Sequence, residues 1–274
     1  MNDSIAPSAR NAPIPGSYEH RFNGIARLVG VTGAERLRKA HVTVVGIGGV
    51  GSWAAEALAR TGIGKITLID WDDLCYSNVN RQIHAIDGQI GRSKVEVMAE
   101  RIKSIQPECE VNAVRDFFTE SNRDELITNS GCDAVIDAID KLTPKCWLIA
   151  TCRRANIPIV CSGAAGGMVD PRQLIVDDLN RSYADPLLAQ VRKKLKKDFG
   201  FSKKPAEKFK VECVFSAEEK VFPKKDGSVC SGKIDSQGTV NIGCDFGYGS
   251  ASFVTGTVAF LAVGRIVASL LKKG

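Results

Sequence analysis

The chain has 274 residues, of which 44% are hydrophobic and 25% charged, with a net charge of +6. At roughly 150 residues per domain, that length implies one large α/β domain or two smaller ones. The composition excludes a collagen-like, wholly disordered or multi-span membrane chain. Nine cysteines, at 75, 109, 132, 146, 152, 161, 213, 230 and 244, never fall at the three-residue step of a CxxC pair. That argues against a zinc ribbon and for free thiols in a reducing cytoplasm.

Residues 1–17 contain Pro7, Pro13 and Pro15 and no apolar run that could serve as a signal peptide, so they read as a disordered arm. His20 to Arg38 has helical spacing, interrupted by Gly30 and Gly33. The β-branched run Val42–Val45 then leads through a glycine-rich turn into a helix over Ser52–Arg60 and a second strand, Ile66–Ile69, which together form a βαβ unit. Further strands are expected at Val111–Val114, Ala134–Ile139 and Ile157–Cys161, between helices at Lys94–Ile105, Ser121–Thr128 and Pro144–Arg154. This alternation predicts a Rossmann-like α/β fold: a mostly parallel sheet with helices on both faces and a ligand crevice at the carboxyl ends of the strands. A less regular C-terminal extension follows, with Leu174–Val176, Val211–Phe215 and an apolar helix over 250–271.

Residues 181–210 hold ten Lys or Arg against Asp185, Asp198 and Glu207, a net of +7 in an insertion-like segment. Such a patch suits a polyanion, because each neutralised phosphate releases condensed counterions. Composition alone also allows a solvated loop or the outer face of a short helix. The uncharged stretch Phe246–Gly264 approaches the ~20 residues of a membrane span. Its glycines, Ser and Thr favour a buried core helix or a subunit-interface helix instead.

Gly46-Ile47-Gly48-Gly49-Val50-Gly51 lies between a strand and a helix, the setting in which a glycine motif is informative. Gly46, Gly48, Gly49 and Gly51 let backbone approach a phosphate, and the start of the helix favours an anion. Asp70, at the end of the next strand, is placed to accept hydrogen bonds from ribose hydroxyls. Up to this point a nicotinamide dehydrogenase and an ATP enzyme explain the residues equally well. Asp72, Asn78, Arg81, Gln82 and Lys94 separate them, since ATP's larger charge calls for Arg, Lys and a metal. At ~4 Å and an effective dielectric near 20, each cation–phosphate charge pair contributes roughly 4 kcal/mol before desolvation. Asp140 could hold Mg²⁺ against those phosphates, or could cap the helix that follows it. His84 could touch substrate or be a hydrogen-bonded structural imidazole.

On these motifs, with Asp137-Ala138-Ile139-Asp140, the chain from His20 to Gly167 resembles the ThiF/MoeB-type adenylating enzymes related to ubiquitin activation. It is more similar to one branch, the tRNA threonylcarbamoyladenosine dehydratases. That likeness rests on Arg21-Phe22, Ala26-Arg27-Leu28, Asn78–Ala85, Asp185-Pro186-Leu187 and Glu212–Ser216, and it extends over residues 18–274. The resemblance implies Asp70 on the ribose, Arg81 and Lys94 on the triphosphate, and Asp140 on Mg²⁺, with Arg81, Lys94 and Asp140 as the catalytic set. It implies ATP-dependent adenylation of the threonine carboxylate of threonylcarbamoyladenosine in tRNA, then ring closure with release of AMP. A homodimer is also implied, and a sulfur donor or cysteine desulfurase is a candidate partner. Relatives of the sulfur-carrier type carry a second Arg where this chain has Gly24, so Arg27 or Arg21 is the candidate for reaching a partner subunit's ATP. Cys213 sits in a family-like motif but outside the catalytic set. The competing readings are adenylation of a sulfur-carrier protein's C-terminus, a nicotinamide-dependent oxidoreductase, and a non-catalytic tRNA-binding module.

Overall fold

A computed structural model describes residues 14–224, 226–231 and 248–272. Most of the expected N-terminal arm, residues 1–13, lies outside them. Ile14–Ser17 form a turn, and the Ser17 hydroxyl accepts from His20 N–H to cap the first helix, α1 (Tyr18–Lys39). Gly30 interrupts α1 at φ +78°, ψ 161°, a conformation that residues with a side chain adopt rarely.

Seven strands form the sheet: β1 (His41–Val45), β2 (Lys65–Ile69), β3 (Glu110–Val114), β4 (Ala134–Asp137), β5 (Ile159–Ser162), β6 (Leu174–Asp178) and β7 (Glu212–Ser216). Their order is β3-β2-β1-β4-β5-β7-β6, and every pairing is parallel except β6 against β7. Strand β1 is central and buried along its whole length, which explains its unbroken run of β-branched residues after His41. In register, Val45 lies opposite both Ile69 and Asp137, so β1, β2 and β4 end together and their following loops meet at one edge.

Side-chain alternation along the strands builds two cores. Val42, Val44, Ile66, Leu68, Ala134 and Ile136 face α2 (Gly51–Arg60), α3 (Lys94–Ile105) and α6 (Ser252–Lys272). Val45, Ile69 and Val135 face the other layer, with α4 (Leu142–Arg154) and α5 (Pro186–Asp198). Helices thus cover both faces of a Rossmann-like sheet. Two local expectations shift, and one left open between loop and helix resolves to helix. The strand at Ala134 stops at Asp137, because the Asp137 carboxylate accepts Ile139 N–H and turns the chain out of the ladder. The helix expected at Ser121–Thr128 is a short π-type turn over Asp124–Thr128. The basic segment contains a full helix, α5, whose Leu188, Val191 and Leu195 are buried in the second core.

Helix α6 is long and apolar enough to cross a membrane, yet half of its most apolar stretch is buried in the fold. Ala259, Ala262 and Ile266 are fully covered, alongside α2 residues of the same core. It is a core helix.

Candidate functional site

A cleft of about 610 Å³ opens at the carboxyl ends of β1, β2 and β4. Its floor is the glycine turn. Gly46 has φ +88°, and a Cβ there would lie 2.8 Å from the Ala138 carbonyl oxygen; one at Gly51 would overlap the Gly46 oxygen. These contacts require glycine. Among the described residues no side chain caps α2; its Ser52 N–H is taken up by the Gly48 carbonyl at 3.1 Å, and the turn and helix start place further backbone amides where an anion is favoured.

Asp70 stands beside this turn, with Ile47 N–H donating to its Oδ2 at 2.6 Å and Asp72 N–H to its Oδ1 at 2.8 Å. Burial raises its pKa, and the Lys94 ammonium opposes that rise. Lys94, itself buried, reaches Asp72 Oδ2 at 2.8 Å from the start of α3. Arg81 lies against Gly49 and donates to the Ser77 carbonyl at 2.7 Å; no carboxylate pairs with it among the described residues. Trp53 Nε1–H donates to the Arg81 carbonyl at 3.0 Å and so fixes the backbone that carries the guanidinium. Asn78 accepts Cys75 N–H to stabilise the turn before Arg81, and buried Gln82 lines the cleft with its Oε1 unpartnered among the described residues.

Asp140 is exposed on the cleft wall and engages no other side chain among the described residues. Its alternative reading as a helix cap does not hold, because Lys141 is the N-cap of α4 and no side chain caps that helix. Among the described residues no group of three or more His, Cys, Asp or Glu could hold a metal. One carboxylate on the cleft wall is a donor that Mg²⁺ accepts, since that ion takes few protein ligands alongside substrate phosphates. Gly46, Gly48, Gly49, Asp70, Asp72, Asn78, Arg81, Gln82, Lys94 and Asp140 all line this one cleft. Gly51 opens the adjoining helix.

Other singled-out residues lie elsewhere. His84 is buried, both ring nitrogens lack a partner among the described residues, and burial with Lys94 and Arg101 lowers its pKa to about 4. It is a neutral imidazole off the cleft. Cys213 lies on β7 opposite Cys161, its thiol donating to the Asp177 carbonyl; hydrogen bonding with Cys161 and then burial push its pKa up. Arg21 is held by the Gly16 and Ile105 carbonyls, whereas exposed Arg27 makes no such contact among the described residues.

Three parts of the site escape sequence reading. Lys145 is fully buried and pairs with Asp137 at 2.9 Å beneath the loop that carries Asp140. Its i, i+4, i+7 spacing with Ile149 and Cys152 was the available signal. Trp71 and Phe117 stack at the cleft rim with ring centroids 5.4 Å apart. The far wall comes from 162–166 and from Tyr248, Ser250 and Thr255, around the start of α6. Asn80 Nδ2 donates to the Ser250 carbonyl at 2.7 Å, which ties that wall to the Arg81 turn.

The ThiF family description matches residues 22–274. The chain belongs to the ThiF family. It is 50% identical to the tRNA threonylcarbamoyladenosine dehydratase of Escherichia coli K12, over 95% of this chain and 97% of that one. A crystal structure of the Escherichia coli tRNA N6-threonylcarbamoyladenosine dehydratase in complex with ATP superposes with a TM-score of 0.84 at 47% identity, covering 96% and 98% of the two chains. The molybdopterin-synthase adenylyltransferase of Escherichia coli K12 is more distant, at 35% identity over 48% of this chain and 52% of that one.

Proposed function

We propose that this protein is an ATP-dependent tRNA threonylcarbamoyladenosine dehydratase. The observation that carries the reading is the meeting of the glycine turn, Asp70, Arg81 and Lys94 in one cleft, in a chain half-identical to an enzyme of that name. The cleft binds ATP with its ribose on Asp70 and its phosphates between the α2 amides, Arg81 and Lys94. A threonine carboxylate oxygen of the modified adenosine attacks the α-phosphorus, and the bond to pyrophosphate breaks. Arg81 and Lys94 take up the charge that develops on the phosphates. The neighbouring carbamoyl group then attacks the acyl carbon and expels AMP. Over both steps the nucleoside loses one water. Asp140 would hold Mg²⁺, which supplies further charge neutralisation on the phosphates.

No enzyme nucleophile is required, since the attacking group is already held beside the acyl adenylate. The buried position of Cys213 agrees with that. The tRNA backbone meets α5 and its flanks, where Lys193 and Lys197 are exposed. A homodimer is supported by Leu28 and Val31, each 81% exposed on α1, and by Phe253 and Phe260 on α6. Arg27, next to Leu28, would then reach the partner subunit's ATP. The site of action is the cytoplasm, where the thiols stay reduced.

The test is mass analysis of nucleosides from tRNA bearing threonylcarbamoyladenosine after incubation with ATP, Mg²⁺ and this protein. Loss of one water is expected. Pyrophosphate exchange stimulated by a Gly-Gly-ended carrier protein, and not by the modified tRNA, would overturn the reading.

A further inference from the structure

One buried carboxylate joins the basic helix to the cleft. Asp185, 3% exposed, caps α5 by accepting Leu188 N–H on Oδ1 at 2.9 Å. Its other oxygen, Oδ2, accepts Ala164 N–H at 2.9 Å. Ala164 belongs to the 162–166 wall, on the far side of the cleft from Asp70, and Gly163 N–H anchors that wall to the Val214 carbonyl at 2.7 Å. The approach is close: a Cβ at Gly163 would lie 2.3 Å from Asp185 Oδ2. Ala184, immediately before, is held at φ +55°, a left-handed conformation costly for a residue with a side chain. The surroundings therefore over-determine the carboxylate's position. Leu188, Val191 and Leu195 bury the inner face of α5, so its lysines and the 162–166 wall are linked through a packed helix and this carboxylate.

We propose that Asp185 is a positioning residue for the dehydration. It holds the RNA-binding helix in register with the acceptor wall, so that RNA seated on α5 delivers its carboxylate to the α-phosphorus of ATP. This rests on the dehydratase reading. Misplacement by about 1 Å can cost on the order of a hundredfold in rate without loss of binding.

The test compares wild type with Asp185→Asn and Gly163→Ala, using an anticodon stem-loop RNA that carries threonylcarbamoyladenosine. An amide at position 185 keeps one acceptor oxygen and loses the other, so one of the two N–H bonds is broken. Gly163→Ala would place a Cβ 2.3 Å from Asp185 Oδ2 and so displace that oxygen. Each variant should lower kcat at least tenfold, with the ATP Kd and the RNA KM within about twofold of wild type. The double variant should be no slower than the worse single one, since both loosen the same carboxylate bridge between α5 and the wall. A fall in kcat matched by an equal loss of folded protein, measured by active-site titration with ATP, would reduce Asp185 to a helix cap and overturn the inference. So would multiplicative effects of the two substitutions, or unchanged kcat. If wild type forms no AMP with this RNA, the dehydratase reading itself fails, an outcome separate from all of these.

Discussion

Lys145 and Asp137 form an ion pair at 2.9 Å in which neither side chain retains any exposure. Lys145 Nζ also donates to the Ile139 carbonyl at 2.9 Å, while Asp137 accepts Ile139 N–H at 3.0 Å. The pair thus grips both polar groups of the residue just before Asp140. Lys145→Met would strand a buried carboxylate and should cost about 3–5 kcal/mol. Burial raises the Asp137 pKa and Lys145 opposes it, so the variant's folded-state carboxyl titrates higher still. The variant should then be most stable below the unfolded value near ~3.9 and lose stability as pH rises to the elevated folded value. Urea unfolding at pH 4 and pH 7 checks the sign, and adding Asp137→Asn should recover much of the loss at pH 7.

His84 titrates in the opposite sense. Burial, with Lys94 and Arg101, lowers its pKa to about 4. Its contribution is complete above the unfolded value near ~6.5 and is lost as pH falls from there towards 4, by on the order of 3 kcal/mol. His84→Gln should flatten the stability profile over that window. A slope equal to wild type would show that the ring is already protonated in the fold.

Arg81→Ala should reduce adenylation by roughly two to three orders of magnitude, the scale for one transition-state charge contact. The fold should survive, because among the described residues the guanidinium bonds only the Ser77 carbonyl and Asn80 Oδ1. Single-turnover AMP formation measures the loss. A nicotinamide enzyme would be indifferent to it.

The lysines of α5 are not equivalent. Lys194 pairs with Asp198 at 3.0 Å and Lys196 lies over the Phe209 ring, whereas Lys193 and Lys197 are exposed. Changing Lys193 and Lys197 to Ala should raise the tRNA KM and reduce the salt slope by about one unit per lysine. Changing Lys194 and Lys196 should do less to the slope. Equal effects would mean that the RNA path does not follow this face.

Residues that must be glycine, or that end a strand beside a glycine turn, announce themselves: Gly46, Gly51 and Asp70 were readable because local backbone geometry dictates them. The bounds of α3 were readable too, since Ser93 and Gln106 flank an uninterrupted amphipathic run. What escaped depends on packing between distant segments. A lysine in a helix looks like a solvated charge until the strand carrying Asp137 is placed beneath it. The far wall needed the sheet order, because only tertiary contact brings Thr255 against Gly49. The placement of β7 between β5 and β6 was equally hidden, as no local pattern reveals which strand inserts between two others.

Because Tyr248, Ser250 and Thr255 complete a pocket whose floor begins at Gly46, a growing polypeptide on the ribosome carries the glycine turn long before it owns an enclosed nucleotide site. A chain truncated before α6 would keep Gly46, Asp70, Arg81 and Lys94 but lack Thr255 on the far wall and the α6 side of the first core.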